Sequence, residues 1–143
     1  MSSRRKEREL ALQLLFQQDC SQVTADEILE IYWEVNPVDL ENREFAEFLF
    51  RKASEHRSLI DELISRHAQH WRLERIAAVD RNILRMAVSE LLYTETPQVV
   101  VIDEAIEIAR RFSTSNSSQF VNGVLDAIRE EINHPPVSEN HHG

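Results

Sequence analysis

Glycine is the residue that this sequence most clearly lacks. Only two of its 143 residues are glycine and one of these is the last residue, so Gly123 is the single internal glycine. The dinucleotide fingerprint and the Walker A loop both require several glycines, so neither phosphate-binding motif is present. The shortage also argues against a hairpin-rich β fold, because tight hairpin turns need glycine or Asn-Gly pairs.

Cysteine and long apolar runs are scarce as well. The one cysteine, Cys20, cannot form an internal disulfide, so nothing indicates an oxidising compartment. The longest β-branched run, from Val99 to Ile102, is far shorter than the roughly 20 apolar residues of a membrane span. The charged N-terminus is not followed by the apolar segment of a signal peptide. We therefore expect a cytoplasmic protein, of a length that suits one domain with a substantial core.

The net charge of −9 is unevenly distributed. Residues 19–47 carry a net charge of −8 and residues 86–143 one of −6, whereas residues 1–18 and 51–85 carry +2 and +3. Of the 16 bases, 14 are arginine, whose planar guanidinium binds phosphate in bidentate fashion and stacks on bases. The N-terminal tip (Arg4, Arg5, Lys6 and Arg8) is thus compatible with a solvated helix start or with an RNA contact, and the overall acidity does not exclude RNA.

The spacing of apolar residues is helical almost throughout and predicts seven helices. Thr24 and Glu27 form a capping-box pattern at the start of the second helix, which Asn36-Pro37 ends. Five later helices are expected to begin at residues with capping or helix-opening chemistry, namely Asp39, Ser58, Asp80, the Thr96-Pro97 pair and Asn116. Asn116 would form a second capping box with Gln119.

These helices predict an all-α bundle made of two small sub-bundles, roughly 1–70 and 71–134. The sixth helix is expected to bury Val99 and Phe112 among its apolar residues. We predict one helical domain over residues 1–134 and a disordered polar tail over residues 135–143, because the Pro135-Pro136 pair ends the last helix.

No group of residues predicts an enzyme. His67 and His70 are three residues apart, as two metal ligands on one helix face would be, but no cysteine or carboxylate motif completes a tetrahedral set. Glu104 and Glu107 are paired carboxylates that we interpret as helix-surface ion pairs with the arginines that follow them. We expect no catalytic residue, no metal and no cofactor.

Gly123 lies inside an otherwise apolar helix, where glycine costs about 1 kcal/mol relative to alanine. A closely packed neighbouring helix, or a ligand pressed against the backbone, would offset this cost. Gln119, Phe120 and Asn122 lie near it, at the start of the same helix. Amides that read base edges, a ring that stacks on bases and a helix N-terminus that attracts phosphate are all features of RNA-binding sites. Both interpretations remain open from the residues alone.

Four blocks of the sequence resemble the NusB family, in the family's order: RRKERELALQLLF at 4–16, VDRNILRMAVSEL at 79–91, VIDEAIEIAR at 101–110 and FVNGVLD at 120–126. The resemblance implies an all-α protein that binds the boxA element of nascent, single-stranded RNA together with NusE, a ribosomal protein of the small subunit. The pair joins the antitermination complex on RNA polymerase, chiefly during ribosomal RNA transcription. The resemblance implies neither an enzyme nor a cofactor.

The resemblance also assigns binding residues. It implies RNA contacts from the N-terminal tip, from an aromatic residue of the first helix and from the linker and start of the last helix: Arg4, Arg5, Lys6, Arg8, Phe16, Asn116, Gln119, Phe120 and Asn122. It implies NusE contacts at Asp80 and Glu90. Many members have tyrosine in place of Phe16, which keeps a ring for stacking but lacks the hydroxyl. Members often have tyrosine in place of Ser89, so the partner surface is expected to differ in detail.

Two other functions stay open at this point. A NusB-like domain can serve as the RNA-binding accessory domain of an rRNA methyltransferase, although that function needs a following domain with Gly-rich loops, which we do not expect after the proline-punctuated tail. The other is a protein-binding helical adaptor, as a monomer or a homodimer, in which the basic tip is incidental.

Overall fold

The computed structural model describes residues 4–68, 72–114 and 116–135. In these ranges the chain forms α-helices and one short 3₁₀ turn, Leu73–Arg75, without any β-strand. The helices are α1 Arg4–Cys20, α2 Ala25–Val35, α3 Leu40–Glu55, α4 Arg57–His67, α5 Ala78–Tyr93, α6 Gln98–Phe112 and α7 Ser117–Asn133. The predicted all-α fold with seven helices is confirmed. The predicted tail lies outside the described residues except for Pro135, which is exposed.

Local capping chemistry explains one helix start fully. The hydroxyl of Thr24 accepts a hydrogen bond from the Glu27 amide, and the Glu27 carboxylate accepts one from the Thr24 amide, both over 3.2 Å. This is the capping box expected at the start of α2. Asp39 and Asn116 occupy the N-cap positions of α3 and α7, but neither side chain makes a capping hydrogen bond, so the second capping box is absent.

Two expected helix starts are wrong. The backbone of His56 ends α3 and begins α4, so Ser58 lies inside the first turn of α4. α5 begins at Ala78, which places Asp80 within its first turn. The Asp80 carboxylate is not a cap because it accepts hydrogen bonds from the hydroxyls of Ser113 and Ser117, over 2.6 and 2.8 Å. In both cases a tertiary contact or a helix junction overrides the local pattern.

α5 is the central helix of the fold. It is buried around nearly its whole circumference, from Asp80 to Leu91, and it contacts α1, α3, α4, α6 and α7. α1 packs mainly on α3, and α6 mainly on α7, so α5 joins the helices of the first part of the chain to those of the second. None of the helices in the described ranges has the length and apolar composition to cross a lipid bilayer.

Asp19 anchors the end of α1 to α5. Its carboxylate accepts hydrogen bonds from Arg81, over 2.7 and 3.0 Å, and from the amide of Asn82, over 3.0 Å, and it lies 3.4 Å from Arg85. Burial would raise the pKa of Asp19, but the hydrogen bonds from Arg81 and Asn82 and the charges of Arg85 and Arg81 lower it to about 2. This network joins the C-terminal end of α1 to α5.

Candidate nucleic-acid interface

Three arginines of the N-terminal tip lie around one open cleft, which we call the tip cleft. It has a volume of about 630 Å³ and is lined by Arg4, Arg5, Arg8, Thr96, Pro97, Val100 and Glu104. The arginines belong to the first turns of α1, whereas the opposite wall comes from the start of α6. The structure thus brings together the arginines that the sequence placed in one basic segment.

Each of these arginines is paired with a carboxylate. Arg4 donates to Glu7 over 2.8 Å. Arg5 donates through Nε and Nη2 to both oxygens of Glu104, over 2.7 and 2.9 Å. The side chains of Arg4 and Arg5 remain 63% and 41% exposed, and Lys6 is also exposed. Arg4 and Arg5 are therefore accessible to a phosphate, although not as isolated charges.

Arg8 and Glu90, to which the resemblance assigns RNA and NusE contacts, are both buried. Arg8 Nε and Nη2 donate to the two carboxylate oxygens of Glu90 over 2.8 and 2.6 Å, and the side chains are only 5% and 1% exposed. Each side chain is buried against the other, so neither is readily accessible to a ligand, and the RNA contact expected of Arg8 and the NusE contact expected of Glu90 stay predictions. Ser89 is buried too, and its hydroxyl donates to the Met86 carbonyl.

The α1–α6 ion pairs were missed from the sequence. Glu104 was expected to pair within its own helix, and instead it binds Arg5, 99 residues away. The hydrogen bond from Arg5 lowers the pKa of Glu104 and, in return, raises the pKa of Arg5. Glu107 does pair with Arg110 as expected, while Arg111 pairs with Glu9 of α1. No local spacing rule reports contacts of such separation.

Phe16 lies at the other end of α1, on a second cleft of about 190 Å³ that we call the aromatic cleft. The distance along α1 from Arg5 is roughly 16 Å, from the rise of an α-helix. Phe112 faces the same cleft and is 45% exposed, with the guanidinium of Arg111 5.2 Å from its ring centroid. The expectation that Phe112 and Val99 are buried is wrong, since Val99 is 52% exposed as well and both residues lie in the end turns of α6, beyond its buried residues.

The start of α7 forms a third cleft, the α7 cleft, of about 330 Å³. Asn116 and Phe120 line it together with Arg75, Asp80 and other residues of the helix starts. Asp80, predicted to bind a partner, is buried and held by Ser113 and Ser117, so little of its carboxylate is accessible. Val79 lines the aromatic cleft and Asp80 the α7 cleft, so these two clefts adjoin at the start of α5.

Gln119, Asn122 and Gly123 are exposed on the outward side of α7. A Cβ atom built on Gly123 would have no neighbour within 4 Å outside its own helix backbone. The interpretation of Gly123 as a site of close helix packing is therefore wrong. A ligand that approaches the backbone at this exposed turn stays a prediction.

The described residues offer no centre for metal chemistry. Within these ranges, no group of three or more His, Cys, Asp or Glu side chains is arranged to hold a metal ion. His67 Nε2 lies 2.5 Å from a carboxylate oxygen of Glu131, which joins α4 to α7. His70 lies outside the described residues.

Curated relatives of this chain are transcription antitermination proteins. "Transcription antitermination protein NusB" of Koribacter versatilis is 52% identical over 132 residues, covering 91% of this chain and 90% of the relative. The protein of the same name from Solibacter usitatus is 47% identical, covering 98% of this chain and 99% of the relative. The similarity thus extends over nearly the full length of both relatives.

Solved structures share the fold. NusB of T. maritima is 43% identical, with a TM-score of 0.81 over 92% of this chain and 94% of that chain. A crystal structure of the antitermination factors NusB and NusE with double-stranded RNA contains a chain that is 28% identical, with a TM-score of 0.79 over 89% of this chain and 96% of that chain. A sequence model of the NusB family matches residues 5–130, and the chain belongs to the NusB family.

Proposed function

We propose that this chain is a transcription antitermination factor that binds boxA-type single-stranded RNA together with NusE. It acts in the cytoplasm, within the antitermination complex on RNA polymerase, and promotes processive transcription of ribosomal RNA operons. It does so by binding alone, without a catalytic residue or a cofactor. The relatives of that name and the solved complex of NusB, NusE and RNA support this function.

The observation that carries the proposal is the tip cleft, which Arg4 and Arg5 both line with partly exposed side chains. Exposed arginines bind the phosphates of RNA whatever its base sequence, and they make the affinity for RNA depend on the salt concentration. Lys6 adds a third positive charge on the same helix turn. Arg8 acts indirectly, because its buried ion pair with Glu90 connects the N-terminal tip to α5.

Base recognition is assigned to the other two clefts. Phe16 and Phe120 are half-buried rings that line the aromatic and α7 clefts, where an unstacked base can lie on a ring face. Asn116, Gln119 and Asn122 are exposed amides near Phe120, with donors and acceptors for base edges. The surface around Asp80 at the start of α5 is where we place the contact with NusE.

A salt titration tests the role of the tip. Binding of a labelled single-stranded boxA-type RNA is measured with NusE present, at several salt concentrations, for the natural chain and for the Arg4→Ala/Arg5→Ala variant. The slope of log affinity against log salt for single strands is about 0.7 per phosphate neutralised. We expect weaker binding and a slope shallower by up to about 1.4 in the variant. An unchanged affinity and slope would exclude the tip as a phosphate site.

A matched variant separates a tip effect from a change in overall charge. Arg43 and Arg51 lie on α3 and do not line the tip cleft. The Arg43→Ala/Arg51→Ala variant changes the net charge by the same amount. We expect this variant to keep the salt slope of the natural chain. An equal loss in both variants would point to the overall charge rather than to the tip.

A further inference from the structure

A carboxylate occupies the cleft in which the proposed function places an RNA phosphate. Glu104 lies on the wall of the tip cleft with Arg4, Arg5 and Arg8. We propose that Glu104 sets the RNA affinity of this chain by competing with phosphate for Arg5. The proposal rests on the proposed function and adds to it a residue that opposes binding.

The hydrogen bonds of Arg5 support this competition. Its Nε and Nη2 groups donate to the two oxygens of Glu104 over 2.7 and 2.9 Å. This is the bidentate arrangement in which a guanidinium also binds a phosphate. Arg8 Nη1 lies 3.8 Å from the same carboxylate. Glu104 therefore occupies one bidentate edge of Arg5 and also lies close to Arg8, so its charge offsets positive charge at the wall of the tip cleft.

The charge of Glu104 persists at neutral pH. The hydrogen bond from Arg5 lowers the pKa of this carboxyl, and the positive charges of Arg5 and Arg8 act in the same direction. A phosphate that enters the tip cleft meets a negative charge within the same set of contacts. Either the phosphate displaces Glu104 from Arg5, or it binds beside a like charge, and both cases weaken binding.

The Arg5–Glu104 pair is not the only contact that holds α1 and α6 in place, because both helices also pack on α5. Its side chains remain 41% and 20% exposed, in contrast to the buried pair of Arg8 and Glu90. A second ion pair, between Glu9 and Arg111, also joins α1 to α6. A variant that loses the charge of Glu104 should therefore fold, which thermal unfolding followed by circular dichroism checks.

Glu107 supplies a matched control. It lies one turn further along α6, pairs with Arg110 on its own helix and still acts on Arg5 through its charge. It does not line the tip cleft. Glu104→Gln and Glu107→Gln change the net charge equally, so their difference isolates the direct contact with Arg5.

The experiment compares the binding of labelled boxA-type RNA by the natural chain and the two variants, with NusE present, across a range of salt concentrations. We expect Glu104→Gln to bind about threefold to tenfold more tightly at low salt, with a slope steeper by about 0.7, the value for one more phosphate neutralised. Glu107→Gln should change the affinity by less than about twofold. In a chain that also carries Arg5→Ala, Glu104→Gln should raise the RNA affinity no more than Glu107→Gln does.

Three results would overturn the proposal: no gain from Glu104→Gln over Glu107→Gln, weaker binding by Glu104→Gln, or a gain that persists in full without Arg5. Glu104→Asp provides a second variant that keeps the charge, and we expect it to bind within about twofold of the natural chain. An equal gain in RNA affinity from Glu104→Asp and Glu104→Gln would contradict competition between the charge of Glu104 and phosphate. If the natural chain and every variant fail to bind this RNA with NusE present, the proposed function itself is wrong.

Discussion

Arg8 of α1 and Glu90 of α5 form a buried bidentate ion pair, with donor–acceptor distances of 2.8 and 2.6 Å. The residues are 82 positions apart in the sequence. The pair connects the first turns of α1 to the central helix α5. It therefore holds in place the helix turns that carry the exposed Arg4 and Arg5. Arg8 therefore has a structural role in the N-terminal tip.

We predict that Arg8→Ala lowers the free energy of unfolding by about 3–5 kcal/mol, because it leaves the Glu90 charge buried without its partner. Urea denaturation measures this. Arg4→Ala, at a side chain that is 63% exposed but pairs with Glu7 and lies 4.1 Å from the Phe45 ring centroid, should change the same quantity by less than about 1 kcal/mol. Arg8→Met combined with Glu90→Leu should recover most of the loss. A loss of under about 1 kcal/mol for Arg8→Ala would contradict a buried pair.

Asp19 makes the free energy of unfolding depend on pH in the acidic range. Its pKa is about 2 in the folded chain against an ordinary value of 3.8. Its contribution to the free energy of unfolding is therefore present above pH 4 and is lost as the pH falls towards 2. Asp19→Asn should lower the free energy of unfolding by about 2 kcal/mol at pH 7, and this difference should narrow in acid. Urea denaturation at several pH values tests it.

Asp26→Asn is the control for Asp19→Asn, because the exposed Asp26 carboxylate also pairs with an arginine, Arg51. A surface pair of this kind contributes less than about 1 kcal/mol. A loss from Asp19→Asn that stays constant between pH 7 and pH 2 would show that the charge of Asp19 is not its cause.

Gly123→Ala should have opposite effects on stability and on binding. The open space around Gly123 leads us to expect a free energy of unfolding higher by about 0.5–1 kcal/mol, since alanine is the better helix former. We expect weaker RNA binding, because the methyl group would meet a ligand that approaches the backbone. Chemical denaturation and RNA titration measure the two effects. A more stable variant with unchanged affinity would contradict a ligand at this turn.

Phe120→Ala should reduce both stability and affinity, because its ring packs partly against the core and partly lines the α7 cleft. Loss of base stacking should weaken RNA binding by about 1–3 kcal/mol per base. Val121→Ala, at the fully buried neighbouring position, should lower stability while leaving the affinity of the folded protein unchanged. A reduced melting temperature with unchanged affinity for Phe120→Ala would make Phe120 a core residue only.

Local patterns predicted much of the fold, and long-range contacts account for what they missed. The Thr24–Glu27 capping box depends on residues three apart, and it forms as expected. Asp80 matches a local cap equally well, but Ser113 and Ser117 bind its carboxylate from another part of the chain. Periodicity places Phe112 on the apolar side of α6 without revealing that the core ends before it.

The candidate site shows the same limit. The sequence placed the arginines of the tip in one segment, and the structure gathers them around one cleft. Their carboxylate partners on α5 and α6 lie 82 and 99 residues away, and no spacing rule identifies them. Charge counted along the chain therefore overstates the positive charge that the tip presents to RNA.

The most direct test of the account is the binding of boxA-type RNA with and without NusE. The natural chain is titrated against labelled boxA-type RNA and against a scrambled RNA of the same composition, alone and with an excess of NusE. We expect the tightest binding, and discrimination between the two RNAs, when NusE is present. Equal affinity for both RNAs, unchanged by NusE, would contradict the account.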